Sequence, residues 1–279
     1  MAGSFSDGYA RIGLNEKWNF INKEGKPLSE EWFDTAFDFD NGYARVEINN
    51  KHDFIDTQGK YLFGLKYDFI GFFREGYASI RLDKKWNYID IKENILSDQW
   101  FDGAINFENN CGIVTLNDKQ NFINKEGKIL FNQWFDGVRD FHDGYAIVRL
   151  GKNYNFINDQ GEYLSEQWFD DVANFYEGYA RVCVNDKWNL IDTKGNYLSK
   201  QWLDYISGLY NGYAKVKLND KYNFINKRGN ILFGQWFDDA NFFYENYVKV
   251  KKDNVWYRAD YKGNIMSEAY KGCQQLVTF

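Results

Sequence analysis

The stretch Leu218–Asp239, LNDKYNFINKRGNILFGQWFDD, is nearly duplicated at Leu116–Gly137 as LNDKQNFINKEGKILFNQWFDG. The duplication belongs to a repeat that runs over the whole chain. The anchor GYA starts at Gly8, Gly42, Gly76, Gly144, Gly178 and Gly212, and degenerate copies start at Asn110 (NCGIV) and Asn246 (NYVKV). Every step is 34 residues, with no insertion or deletion. This predicts one repeat domain over 1–279 built from eight units.

Thirty-four is also the period of helical tetratricopeptide repeats, but the local pattern excludes a helix. In YARVCV, Ala180, Val182 and Val184 alternate with Tyr179, Arg181 and Cys183, the period of a strand. A two-residue Asn-Asp loop follows at Asn117–Asp118, Asn185–Asp186 and Asn219–Asp220. Asn and Asp tolerate the left-handed backbone of tight hairpins. The turn NKEG then recurs at Asn22–Gly25 and Asn124–Gly127. Each unit therefore reads as four short antiparallel strands, for example Phe169–Phe175, Tyr179–Val184, Lys187–Asp192 and Asn196–Trp202.

The two-residue loop also fixes register. In the first unit Leu14 opposes Lys17, Ile12 opposes Asn19 and Ala10 opposes Ile21. On the other face Gly13 opposes Trp18 and Arg11 opposes Phe20. Both faces carry apolar residues, so each sheet needs a neighbour on each side. The fold class is all-β. The preferred architecture is a closed eight-bladed β-propeller, with an open β-solenoid as the alternative. Closure is suggested by residues 269–279, AYKGCQQLVTF, which fall in register with the first strand of a unit and would complete the first one.

Composition limits the function classes. Aromatic residues make up 20% of the chain and Pro27 is the only proline, which suits half-buried strands. The net charge of −6 argues against nucleic acid as a partner. Cys111, Cys183 and Cys273 sit in unlike contexts, so neither a disulfide framework nor a metal site is expected. No segment has the length of a signal peptide core or a membrane span. The expectation is a soluble, cytoplasmic chain with no membrane contact.

GYARV, KWNFIN, KEG and WFDDANF together resemble the bacterial WG-repeat family. The resemblance covers nearly the whole chain and implies a β-rich interaction module. One departure is that the Gly expected after the Trp is Asn here, at Asn19, Asn87 and Asn189.

Candidate residues follow from the repeat. Asn19, Asn87, Asn121, Asn155, Asn189 and Asn223 share one position, with Asp53 and Tyr257 as exceptions. Amides on an apolar face need partners, and a structural ring tying each unit to a neighbour or a water is the preferred reading over a polar collar for a ligand. Asp34, Asp68, Asp102, Asp136, Asp170, Asp204 and Asp238 read as turn caps; a ring of carboxylates for cations or a basic partner is the alternative. The ten Trp read as core before sugar-stacking surface.

His52 and His142 are the only histidines, and no catalytic motif accompanies them. Departures from the repeat are the candidate binding positions, because shared residues build the scaffold. They are His52, Lys66 in LFGLKYDF, Ile91 and Glu93 in IKEN, Cys111 in NNCGIV, Gln120, and His142. The functional expectation is a non-catalytic scaffold that binds a protein, without cofactor or metal. The alternatives are a propeller that binds carbohydrate or a small molecule, and an enzyme working at a channel mouth.

Overall fold

The structure, a computed structural model, describes residues 2–105, 107–243 and 247–268. Among them there is no helix, and the chain forms small antiparallel sheets. Each hairpin has the register that the Asn-Asp loop dictates. In the first, Leu14 pairs with Lys17, Gly13 with Trp18, Ile12 with Asn19, Arg11 with Phe20 and Ala10 with Ile21. The loop residues take the left-handed backbone, with φ of 50° and 60° at Asn117 and Asp118. That is the geometry matching the twist of the paired strands.

Two of the four expected strands are reduced. The first is only a two-residue pairing, such as Asp171–Val172 on the central strand Tyr179–Val184. Beyond it the chain leaves the ladder, Phe175 is buried, and pairing resumes at Tyr176 with Tyr179. The fourth strand is replaced by a bowed segment anchored at both ends. In the first repeat the Leu28 amide donates to the Phe20 carbonyl at 2.8 Å, and Trp18 and Phe33 exchange two bonds at 2.8 Å.

Between those anchors the Asn19 side chain fills the gap. Its amide donates to the carbonyls of Ser29 (2.8 Å) and Glu31 (3.1 Å), and its oxygen accepts from the Phe20 N–H (2.7 Å). Asn87 makes the same bonds to Ser97 and Gln99, and Asn121 to Phe131 and Gln133. The six amides are at most 1% exposed. They close their own repeat, so the expected tie to a neighbouring unit or a water is corrected: the bow brings carbonyls of the same repeat within reach. Where Tyr257 takes this position, the fourth segment is a continuous strand, Ile265–Glu268.

The core lies between successive sheets. Phe20 packs with Ala36, Ala44, Val46 and Ile55 of the following sheet, while Phe54 on that sheet's other face packs with Ile70, Ala78 and Ile80 of the next. Each such ring is almost fully removed from water, worth about 2 kcal/mol of burial. The chain divides into two compact units, Met1–Asp140 and Phe141–Phe279. In the first unit Ala2–Ser6 occupies the first-strand edge of the opening sheet, with Ala2 paired to Ile12 and Ser6 to Tyr9. The expected closing segment, residues 269–279, lies outside the described residues, as does the expected start of the last repeat at Asn246.

Candidate binding pockets

The seven-member Asp set is used within the scaffold. Asp34 receives the Lys17 ammonium on one oxygen, and the N–H of Asn49 in the next hairpin on the other, at 2.8 Å. Lys17 holds the Asp34 carboxyl below the usual carboxylate range. The same arrangement joins Lys85, Asp102 and Asn117, and also Lys187, Asp204 and Asn219. These carboxylates therefore cap the hairpin of their own repeat and take an ammonium from the repeat before it. Among the described residues no cluster of three or more His, Cys, Asp or Glu could hold a metal ion.

Two other repeat positions do vary together. The third residue of the central strand is Arg11, Arg45, Ser79, Ile113, Ile147, Arg181, Lys215 or Lys249. The position 27 residues later carries Asp38 opposite Arg11, Phe72 opposite Arg45 and Phe242 opposite Lys215. A cation answered by Phe occurs only in these last two cases, and each time it lines a cavity.

In the first unit the cavity, about 270 Å³, is walled by Tyr43, Arg45, Phe54, Phe72 and Phe73, with Asp38, Asp40 and Ile91 among the remaining lining residues. The Arg45 guanidinium lies over three rings: Phe37 at 5.1 Å, Phe69 at 4.9 Å and Phe72 at 5.4 Å. Arg45 is 9% exposed and its Nε has no hydrogen-bond partner. An unpaired buried guanidinium donor is costly to leave unsatisfied, and burial lowers the Arg45 pKa. In the second unit a cavity of about 540 Å³ is walled by the equivalent Tyr213, Lys215, Phe224, Phe242 and Phe243, and also by Arg181, Tyr205 and Tyr210. Lys215 lies 4.4 Å from the Tyr222 ring and 5.5 Å from Phe242. Burial lowers its pKa too.

The sequence-predicted residues fall into several places. Ile91 lines the first-unit cavity. His52 reaches it through Arg45, whose Nη2 donates to His52 Nδ1 at 3.2 Å. Burial first, then Arg45, depresses the His52 pKa, which keeps that nitrogen free to accept. Lys66 and Glu93 form a surface ion pair. Glu93 also takes over the turn glycine's role with φ of 71°.

Cys111 and Cys183 are buried thiols, and Cys273 lies outside the described residues. Burial pushes the Cys111 thiol up to about 12, away from a reactive thiolate. Gln120 accepts the Val138 N–H at 3.0 Å, a backbone role in its own unit. His142 is exposed at a turn of the second unit. The Trp side chains are half-buried, and three carry an Arg: Arg11 over Trp18 (4.7 Å), Arg81 over Trp86 (5.6 Å) and Arg181 over Trp188 (5.2 Å).

Sequence reasoning missed Arg45, Phe72, Lys215 and Phe242. Their signal was the pairing of two repeat positions 27 residues apart, which a search for isolated departures does not detect.

A search among curated protein sequences finds no significant relative. Among solved structures the chain is similar to a eukaryotic initiation factor, with 9% identity, a TM-score of 0.40, and coverage of 96% of this chain and 87% of that one. It is also similar to Hsv2 of Kluyveromyces lactis, with 8% identity, a TM-score of 0.37, and coverage of 96% and 99%. PorZ of Porphyromonas gingivalis aligns at 10% identity and a TM-score of 0.31, over 93% of this chain and 44% of that one. Likenesses this distant carry no argument about this chain. The sequence profile of the WG containing repeat, in contrast, matches residues 1–18, 20–51, 54–86, 122–154, 156–188, 190–222 and 224–256. With that coverage, on a scaffold of identical hairpins, the chain belongs to the WG containing repeat family.

Proposed function

We propose that this chain is a non-catalytic binding scaffold that engages a protein partner in the cytoplasm. The observation that carries the reading is one cavity built twice, around Arg45 and Phe72 and around Lys215 and Phe242, on a frame whose buried Asn amides and repeated Asp carboxylates bond within it. A partly exposed aromatic beside a desolvated cation is a common anchor at protein interfaces. A second reading, a small-molecule site, is favoured by the second-unit cavity, whose volume of about 540 Å³ falls in the usual range for small ligands. The acidic surface supports neither nucleic acid nor an anionic membrane as the target.

The test is recovery of a stoichiometric partner by wild type and by a folded chain carrying Phe72→Ala and Phe242→Ala. The proposal expects the substituted chain to lose that partner; equal recovery rejects it.

We further propose that the eight repeats close into an eight-bladed propeller. Eight repeats, spaced by seven steps of 34 residues without an indel, support it. Energy transfer between dyes at Ser4→Cys and Ser267→Cys, in a chain with its own cysteines replaced by alanine, would be high for a ring. Low transfer would favour the open solenoid.

A further inference from the structure

The two cavities share a plan and differ in charge. On the wall of the second-unit cavity are two cations, Arg181 and Lys215, with Tyr205, Tyr210 and Phe242 around them and, among the described lining residues, no carboxylate. Lys215 donates to the Ala240 carbonyl, which occupies one of its three ammonium protons. The first-unit cavity holds the buried Arg45 with its unpartnered Nε. Its wall also carries two carboxylates. Asp38 is held by Arg11 at 3.4 Å, and Asp40 stands exposed beside it.

Cations within aromatic walls select for one ligand chemistry. A cationic ligand is repelled. A neutral apolar ligand fills the space but leaves the desolvated donors unpaired. A strongly hydrated polyanion loses too much water against ring faces. A single carboxylate on a flat apolar group satisfies both parts, since the carboxylate meets the cation through charge-assisted hydrogen bonds and the ring stacks on Phe. Phe72 and Phe242 are 47% and 59% exposed, so both are reachable from solvent.

We propose that the Arg45–Phe72 and Lys215–Phe242 cavities are two equivalent sites for a carboxylate borne on an aromatic group, the second-unit site being the tighter. This rests on the binding-scaffold reading and names the chemistry its anchors recognise. Such a group has two sources, a free aryl acid or the C-terminal aromatic residue of a partner chain.

Calorimetry on the full chain tests it with three probes: 3-phenylpropionate, N-acetylphenylalanine and N-acetylphenylalanine amide. The expected result is two carboxylate sites per chain and at least about tenfold weaker binding of the amide, the loss of one charge-assisted bond. Lys215→Gln or Phe242→Ala removes the tighter site, and Arg45→Gln or Phe72→Ala removes the weaker one. Asp40→Asn strengthens the weaker site by taking a carboxylate off its wall. Phe72→Ala and Phe242→Ala keep the test valid if Arg45→Gln fails to fold, because both rings are half exposed.

Tighter binding of N-acetylphenylalanine than of 3-phenylpropionate supports a partner's C-terminus as the source; the reverse order supports a free acid. Equal binding of the amide, fewer than two sites, or indifference to all four cavity substitutions overturns the proposal. Partner recovery that still depends on Phe72 and Phe242 would then leave the scaffold reading standing without this ligand chemistry.

Discussion

Two bowed segments in the first unit solve the same problem in opposite ways. After Asn121, the backbone turns the carbonyls of Phe131 and Gln133 inward, and the side-chain amide donates to both. After Asp53, the buried side chain is a carboxylate that can only accept. There the backbone turns N–H groups inward: Asp53 accepts from Phe63 at 3.0 Å and Leu65 at 2.8 Å. The reversal is visible in the backbone, where Gly64 and Leu65 both take positive φ, 74° and 57°. The loss of Asn, the gain of Gly64 and the loss of the Trp in LFGLKYDF are therefore one compensated exchange. A departure from a repeat is a functional signal only after its structural partner has been sought.

Asn121→Asp should have the largest effect. The carboxylate oxygen replacing the amide nitrogen would face two carbonyls at 2.7 and 3.1 Å, with only the Phe122 N–H, at 2.8 Å, on the other oxygen. A buried charge with no opposite charge beside it costs about 3–5 kcal/mol, read as a fall in the urea midpoint. The folded-state pKa of the new carboxyl would lie above its unfolded value, so stability should recover in acid and be lost as pH rises through the folded pKa. No loss at neutral pH would mean that the bow can reverse freely.

The reciprocal change, Asp53→Asn, should cost less. The amide can accept from only one side of the Phe63–Leu65 loop, and the remaining N–H costs about 1–3 kcal/mol. Adding Gly64→Asn, Leu65→Gln and Lys66→Trp, the residues that follow Phe131, should restore most of the loss. Additive losses in a double-mutant cycle would show that side chain and loop are independent.

A second compensated departure lies in NNCGIV. The ring that packs against the central strand is Phe in most repeats and Tyr88 here, and the facing Ala becomes Gly112. A Cβ at Gly112 would lie 2.4 Å from Tyr88 Oη, which itself donates to the Ile113 carbonyl at 2.9 Å. Gly112→Ala should cost about 1–3 kcal/mol by overpacking. Tyr88→Phe in the same chain should return most of it, recreating the common Phe/Ala pair; calorimetric unfolding of the four chains measures the coupling.

These cases show what was legible. The hairpin registers followed from a two-residue loop and strand alternation, because both are local. The bow did not, since nothing in the period separates a paired fourth strand from one held by a side-chain amide ten residues away. Asn19 was recognisable as needing partners, but not as finding them in its own repeat. The cavities were less legible still. Arg45 and Phe72 are each ordinary strand residues, and only the juxtaposition of two repeats makes them a pair.

His52 gives the smallest and most local test, at the edge of the first-unit cavity. Its neutral Nδ1 accepts from Arg45 at 3.2 Å, and its Nε2 stands 4.0 Å from Glu47. Burial and Arg45 lower its pKa, and among the more distant charges Arg81 lowers it while Glu47 and Asp68 raise it. A histidine whose folded pKa is depressed stabilises the fold above its unfolded value of 6.5, and that contribution is lost as pH falls through the lower folded pKa. Melting temperature should therefore drop on acidification below the ordinary histidine range. In His52→Gln, whose amide oxygen can still accept from Arg45, that part of the pH dependence should disappear while neutral-pH stability changes little. An unchanged acid limb would mean that the Arg45–His52 contact does not set the protonation of the cavity edge.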